Sequence, residues 1–130
     1  MAQKMSIVCV SGAREKLQMA AMIASVAAAS GDEVMVFISM NALRYFVKGQ
    51  NNEAPAEGEF GALIEKNHGV PPFKQLFAFA VDMGGAKLLP CSMALDLMGL
   101  KGDDLDPELG PPTGLTSFLG DTADSQVFTF

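Results

Sequence analysis

The sequence places one cysteine, Cys91, at a predicted junction between a strand and a helix. Before it, Leu88-Leu89 is typical of a buried strand end, and Pro90 ends the strand because proline has no N–H for the ladder. After it, residues 92–98 have helical spacing, and Gly99 is the predicted C-cap. The positive end of a helix dipole favours the thiolate, which is the nucleophilic form of cysteine. The pattern predicts a reactive sulfur, but a buried core cysteine also fits because free cysteines are often buried.

Several polar residues follow predicted strands and are therefore expected at the same edge of the sheet as Cys91. In open α/β sheets ligands bind at the carboxyl ends of the strands, where free backbone N–H groups can hold an anion. The charge of Arg14 can assist such binding. An ordinary turn and simple helix capping explain the same residues equally well. The candidate binding residues are Ser11, Gly12, Arg14, Ser39, Met40, Asn41 and Ser92.

The remaining chemically active side chains do not form a recognisable site. Cys9 lies inside the first predicted strand, and a small core residue is favoured there over a second working thiol. His68 is the only histidine, and without clustered cysteines no metal site is expected. Its pairing with Cys91 is conceivable, but the sequence does not place the two residues together. Phosphate-binding glycine motifs are also missing.

The elements that position these residues alternate between strand and helix. Continuous apolar runs such as residues 34–38 are typical of strands that are covered on both faces, as in parallel sheets. Alternation predicts right-handed βαβ crossovers and a three-layer α/β/α sandwich with a mainly parallel sheet, as one domain over residues 1–130. The predicted strands are 5–10, 34–38, 86–89 and 126–130, and the predicted helices are 14–30, 42–48, 62–67, 73–84, 92–98 and 115–121.

Two segments between these elements are harder to interpret. Residues 49–61 are polar and contain Gly and Pro, which predicts a mobile flap. Residues 101–114 form an acidic loop with three prolines, in which a short strand near residues 105–109 is conceivable.

Composition limits the function classes. The chain has 130 residues and a net charge of −6, so neither nucleic acid nor an anionic membrane surface is an expected partner. Hydrophobic residues make up 49% and charged residues 18%, which favours a homo-oligomer that buries part of this apolar surface. Two cysteines are too few for a disulfide framework, and Lys4 leads directly into an apolar strand rather than a signal sequence. We expect a cytoplasmic protein.

Three segments resemble the DsrE/DsrF-like family of sulfur-relay proteins. Two are generic: residues 7–12 with the small-residue helix 16–29, and the second strand with its continuation, residues 34–40. The third, Cys-Ser-Met-Ala-Leu-Asp-Leu-Met-Gly at residues 91–99, is the most specific. The resemblance implies a parallel sheet of about five strands, trimers or hexamers, and no cofactor. It also implies that Cys91 carries sulfur, as persulfide or thiosulfonate, between partner proteins.

The functional hypothesis is a cytoplasmic sulfur carrier of the sulfurtransferase type. Its Cys91 accepts sulfane sulfur or thiosulfonate from a TusA-like or rhodanese-like donor protein and passes it to an acceptor. Because the sulfur is transferred rather than turned over, the word enzyme applies only loosely. Two alternatives leave Cys91 without a catalytic role: a small-ligand or nucleotide-binding α/β module, and an oligomeric scaffold protein.

Overall fold

The computed structural model describes residues 3–50 and 53–130, and within them four parallel strands form one sheet in the order β3-β2-β1-β4. The strands are β1 (Lys4–Cys9), β2 (Glu33–Ile38), β3 (Lys87–Pro90) and β4 (Gln126–Thr129). The helices are α1 (Arg14–Ala29), α2 (Met40–Leu43), α3 (Glu59–Lys66), α4 (Phe73–Gly84), α5 (Ser92–Met98) and α6 (Leu115–Asp121). The predicted parallel α/β architecture is confirmed.

Helices cover both faces of the sheet. On one face α1 and α4 pack closely, and this approach depends on small residues: a Cβ added to Gly84 would overlap Ala28, whose backbone oxygen is 2.9 Å away. The connection from β3 to β4 runs back across the sheet, so a right-handed crossover places α6 on the opposite face. There Phe118 of α6 lies against Phe37 of β2, with 4.9 Å between the ring centroids. The sheet is thus the middle of three layers.

The strand register defines the edge at which the candidate residues lie. Cys9 of β1 is paired with Ile38 of β2, and Ile38 is paired with Pro90 of β3. The three strands therefore end in one row, and the residues that follow them begin their loops at the same edge, as predicted. Carboxyl ends of parallel strands meet in this way because neighbouring strands run in the same direction.

The strand count is four rather than the five expected. Residues 109–113 run beside β3, where a fifth strand would lie, and Gly110 N–H donates to Leu88 O at 2.7 Å and Thr113 N–H to Pro90 O at 2.8 Å. Only isolated bridges form there, because Pro111 and Pro112 have no N–H to continue the ladder. The conceivable strand near residues 105–109 is likewise reduced to isolated bridges at Leu105 and Leu109.

Two helix predictions also need correction. The predicted helix over 42–48 is a four-residue α-helix, α2, followed by a 3₁₀ turn at Arg44–Phe46. The predicted helix over 62–67 begins earlier, at Glu59, and ends at Lys66. This shortens the predicted flap, of which residues 51 and 52 lie outside the described residues. None of the helices described is both long and apolar enough to cross a lipid bilayer.

Candidate functional site: a cysteine at the carboxyl edge of the sheet

Cys91 lies between β3 and α5, as the sequence predicts. It directly follows Pro90, the last residue of β3, and is the N-cap residue of α5 with extended backbone dihedral angles. Its backbone N–H donates to Ile38 O at 2.9 Å, which continues the hydrogen bonding between β2 and β3. α5 ends at Gly99, whose φ of 69° is left-handed, and this confirms the predicted C-cap.

Cys91 has Ser39 and Thr113 as its neighbours along the edge. The N–H of Ser39 donates to Cys9 O at 2.9 Å, so Ser39 extends β2 by one residue and lies beside Cys91 in the parallel register. On the other side Cys91 forms an isolated parallel bridge with Thr113, and Ser92 N–H donates to Thr113 O at 3.0 Å. Ser39 is a predicted candidate, whereas sequence reasoning missed Thr113, whose only signal is that it follows two strand-breaking prolines.

The thiol lies mostly below the surface of the chain. Cys91 exposes 5% of its surface, Ser39 is also buried, and the predicted binding residue Ser92 is half-buried. A sulfur donor therefore has little of Cys91 to contact unless neighbouring atoms move. The edge nevertheless presents an exposed side chain at Met40, whose φ of 52° is unusual for a residue other than glycine.

Cys9 is buried like Cys91, but it lies within a strand rather than at the start of a helix. It is fully buried in β1, and burial raises the pKa of its thiol to about 12, because a thiolate there would lose its contact with water. β2 lies between the two cysteines, so their Cα atoms are separated by roughly 10 Å, two strand spacings. A disulfide needs less than about 7 Å, so these thiols do not pair without backbone movement. Cys9 occupies the small core position favoured from the sequence.

The first two turns that follow strands are in contact with each other. Gly12 O accepts a hydrogen bond of 3.0 Å from the Tyr45 hydroxyl, and a Cβ added to Gly12 would lie 3.2 Å from the Cβ of Asn41. Ser11 Oγ accepts a hydrogen bond of 3.0 Å from the N–H of Ala13, so it stabilises its own turn. The structure therefore brings together Gly12 and Asn41, which the sequence could only assign to one edge, and Ser11 is the residue next to Gly12.

Arg14 makes contacts that the sequence did not predict. Its guanidinium donates to Gly61 O at 2.9 Å and to Glu65 at 3.1 Å, and it lies 3.7 Å from Glu53. Its backbone N–H donates to Pro55 O at 2.9 Å. These contacts hold α3 and the loop before it against α1. The charge of Arg14 is therefore paired within the chain and is not directed to an anion beside Cys91.

The next residue, Glu15, anchors the same loop. Its carboxylate accepts hydrogen bonds from the N–H groups of Glu57 at 2.8 Å and Gly58 at 2.6 Å. These bonds, the one from Glu57 first, hold the pKa of Glu15 below its ordinary value of 4.5 because they stabilise the ionised form. Residues 53–61 of the predicted flap are therefore tied to the first turn of α1.

His68 lies on the turn between α3 and α4. It lines a cavity together with Arg14 and Gln18, and Cys91 is not among the residues that line this cavity. The structure therefore gives no support to a pairing of Cys91 with His68. Across residues 3–50 and 53–130, no three His, Cys, Asp or Glu side chains are grouped so that they could bind a metal ion.

A sequence profile of the DsrE/DsrF/DrsH-like family matches residues 47–130, a segment that includes Cys91 and α5. The chain belongs to this family. Membership supports a role of the sulfur-relay type. A comparison with curated protein sequences finds no significant match.

Solved structures of similar shape agree with the fold. The YchN protein from E. coli superposes with a TM-score of 0.70 at 16% sequence identity, over 100% of both chains. MTH1491 from Methanobacterium thermoautotrophicum, described as a protein of unknown function, superposes with a TM-score of 0.59 at 12% identity, also over 100% of both chains. At these identities the likeness establishes the fold alone.

Proposed function

We propose that this protein is a sulfur carrier that is loaded on Cys91. The Cys91 thiolate attacks the outer sulfur of a donor persulfide, R–S–SH. The donor S–S bond breaks, R–S⁻ leaves with the electron pair, and a new bond joins Sγ to the transferred sulfur, so the thiolate charge passes to the donor. With tetrathionate the leaving group is thiosulfate, and Cys91 then carries a thiosulfonate. An acceptor thiolate unloads Cys91 by the same type of exchange.

One contrast carries the proposal: both thiols of the chain are buried, but they lie at different places in the fold. Cys91 follows β3 at the carboxyl edge, inside the segment that matches the family. Cys9 is in the core, where its pKa of about 12 leaves almost no thiolate at neutral pH. Of the two, Cys91 is therefore the thiol suited to exchange sulfur.

Loading requires local opening, because Cys91 exposes 5% of its surface. We expect the opening at residues 109–113, which are held to β3 through the N–H groups of Gly110 and Thr113. Pro111 and Pro112 add no donor to this edge. Displacing this segment uncovers one side of Cys91 and leaves its hydrogen bond to β2 in place.

The partners in this proposal are proteins. The donor is TusA-like or rhodanese-like, the exchange takes place in the cytoplasm, and the carrier is a homo-oligomer, a trimer or a hexamer. Met93 and Leu97 support protein contacts near the thiol, because they lie four residues apart on α5 and are both exposed, Leu97 by 78%. A docking partner gains apolar contact there next to the sulfur that it exchanges.

Intact-mass spectrometry tests the proposal directly. The wild type, Cys9→Ser and Cys91→Ser are incubated with tetrathionate and, separately, with glutathione persulfide, after circular dichroism has verified that each is folded. We expect an adduct with the mass of a thiosulfonate or of one sulfur atom on the wild type and on Cys9→Ser, and none on Cys91→Ser. If the folded wild type forms no adduct with either donor, or if Cys91→Ser still forms it, the proposal is wrong.

A further inference from the structure

β4 is an edge strand whose outer side is open. It pairs with β1 on one side, and no other strand within residues 3–50 and 53–130 pairs with it on the other side. The opposite edge of the sheet differs, because residues 109–113 run beside β3 there and include Pro111 and Pro112. Proteins usually cover or interrupt a sheet edge in this way, since free backbone groups on an edge bind further strands. The edge at β4 has no such segment beside it.

The hydrogen bonds to β1 determine which backbone groups of β4 point outward. Phe130 N–H donates to Val8 O at 2.8 Å, and Phe130 O accepts a hydrogen bond of 2.7 Å from Val10 N–H. In a parallel pair a strand bonds to its neighbour through alternate residues. The N–H and C=O groups of Val127 and Thr129 therefore point away from β1. Another strand can bind these groups.

The side chains of this edge also suit strand pairing. Val127 exposes 48% of its surface and Thr129 is exposed, and both are β-branched residues that are favoured in strands. Residues 125–130 contain no charged side chain and no proline, the residue types that usually protect an edge. The whole chain carries a net charge of −6, so an uncharged strand is a place where two copies can meet without opposing like charges.

We propose that β4 pairs with β4 of a second copy of this chain, antiparallel across a two-fold axis. The outward groups lie symmetrically about Phe128, so the strand is complementary to its own reverse. Val127 of one copy lies opposite Thr129 of the other, and each such pair exchanges two hydrogen bonds. The two copies of Phe128 lie opposite each other at the axis. The result is one continuous sheet of eight strands, four from each copy.

This strand-pairing surface is remote from Cys91. Cys91 follows β3, and both β2 and β1 lie between β3 and β4 in the sheet. The inference therefore does not rest on the sulfur-carrier proposal. A two-fold contact is compatible with a hexamer in which two trimers face each other, but not with an isolated trimer of three-fold symmetry. Strand pairing thus distinguishes between the two oligomers proposed above.

Two double variants test the contact with opposed charges. Val127→Lys/Thr129→Lys places like charges opposite each other across the axis, whereas the matched control Val127→Lys/Thr129→Glu places opposite charges there. Circular dichroism verifies folding, and sedimentation velocity over a dilution series measures association. We expect the dissociation constant of the two-fold contact to be roughly 10-fold higher in the first variant than in the control, which should assemble like the wild type. Equal association of the two variants, or a wild type that is only a monomer or a trimer, would overturn the proposal.

Cysteine cross-linking tests the register without added charges. Val127→Cys and Thr129→Cys are each made together with Cys9→Ala and Cys91→Ala, so that the native thiols cannot react. Opposite residues of a hydrogen-bonded antiparallel pair have Cα atoms about 5.5 Å apart, within the reach of a disulfide, whereas diagonal neighbours are about 7–8 Å apart. Under mild oxidation the mixture of the two variants should form a disulfide-linked dimer, and neither variant alone should do so. The same yield from either variant alone, or no cross-linked dimer in the mixture, would contradict this pairing.

Discussion

The backbone N–H of Cys91 donates a hydrogen bond of 2.9 Å to the carbonyl oxygen of Ile38. The backbone of Cys91 is therefore hydrogen-bonded to the sheet, although Cys91 is also the N-cap residue of α5. A site attached to a rigid element keeps its geometry better than one on a free loop. The position of the sulfur thus depends on the pairing of β2 with β3, and movement of the residues beyond β3 does not need to disturb it.

Replacing Cys9 should make the free energy of unfolding less dependent on pH above pH 9. Burial raises the pKa of the folded-state thiol from 9.0 to about 12, so above pH 9 the unfolded chain releases this proton first. The contribution of the protonated Cys9 thiol to the free energy of unfolding is fully present below pH 9. It is lost as the pH rises towards 12. Between about pH 9 and 10.5 the wild type should lose about 1.5 kcal/mol more free energy of unfolding than Cys9→Ala.

Urea unfolding under reducing conditions, repeated across this pH range, measures the difference. Cys9→Val serves as a second variant without an ionisable group, and its pH profile should have the same slope as that of Cys9→Ala. Parallel profiles for the wild type and both variants would show that Cys9 does not titrate differently in the folded and unfolded states.

Alanine at Gly84 should destabilise the contact between α1 and α4. The added Cβ meets Ala28, whose carbonyl carbon and oxygen lie 2.9 Å away and cannot move without shifting α1. We expect Gly84→Ala to lower the free energy of unfolding by about 1–3 kcal/mol, as overpacking does elsewhere. In α6, a Cβ at Gly120 meets nothing within 4 Å, so Gly120→Ala should be neutral or stabilising by up to about 1 kcal/mol. Equal losses of stability in the two variants, measured by chemical denaturation, would contradict this account.

Replacing Arg14 should destabilise the packing of α3 against α1. Its carboxylate partners Glu53 and Glu65 are mostly exposed, so these ion pairs contribute little, and the bond to Gly61 O is the main interaction lost. Arg14→Met, which keeps an apolar stem, should lower the free energy of unfolding by about 1.5–3 kcal/mol and speed hydrogen exchange in α3. The matched control Arg44→Met, at an exposed position, should change stability by no more than about 0.5 kcal/mol. Unchanged exchange in α3 would mean that Arg14 does not hold this helix.

Local sequence determined much of the site around Cys91. Pro90 is the last residue of β3, as its missing N–H predicts, although Cys91 continues the hydrogen bonding to β2. Gly99 ends α5 because its backbone tolerates a left-handed φ. The apolar runs predicted strands, and the parallel strands follow from their alternation with helices. The predicted element boundaries were wrong where local signals were weak. The start of α3 is an example, because this helix begins at Glu59, among polar residues.

Tertiary structure decided which residues meet. Arg14 bonds to residues 47 and 51 positions later in the chain, and no local pattern contains that pairing. Thr113 beside Cys91, the open outer edge of β4 and the separation of Cys9 from Cys91 also depend on strand order and on how the helices cover the sheet. Periodicity and turn chemistry act within a few residues, and the sequence reveals them. Long-range contacts arise because distant apolar faces must be buried together and backbone groups must find partners across the sheet, and only the folded chain satisfies both conditions.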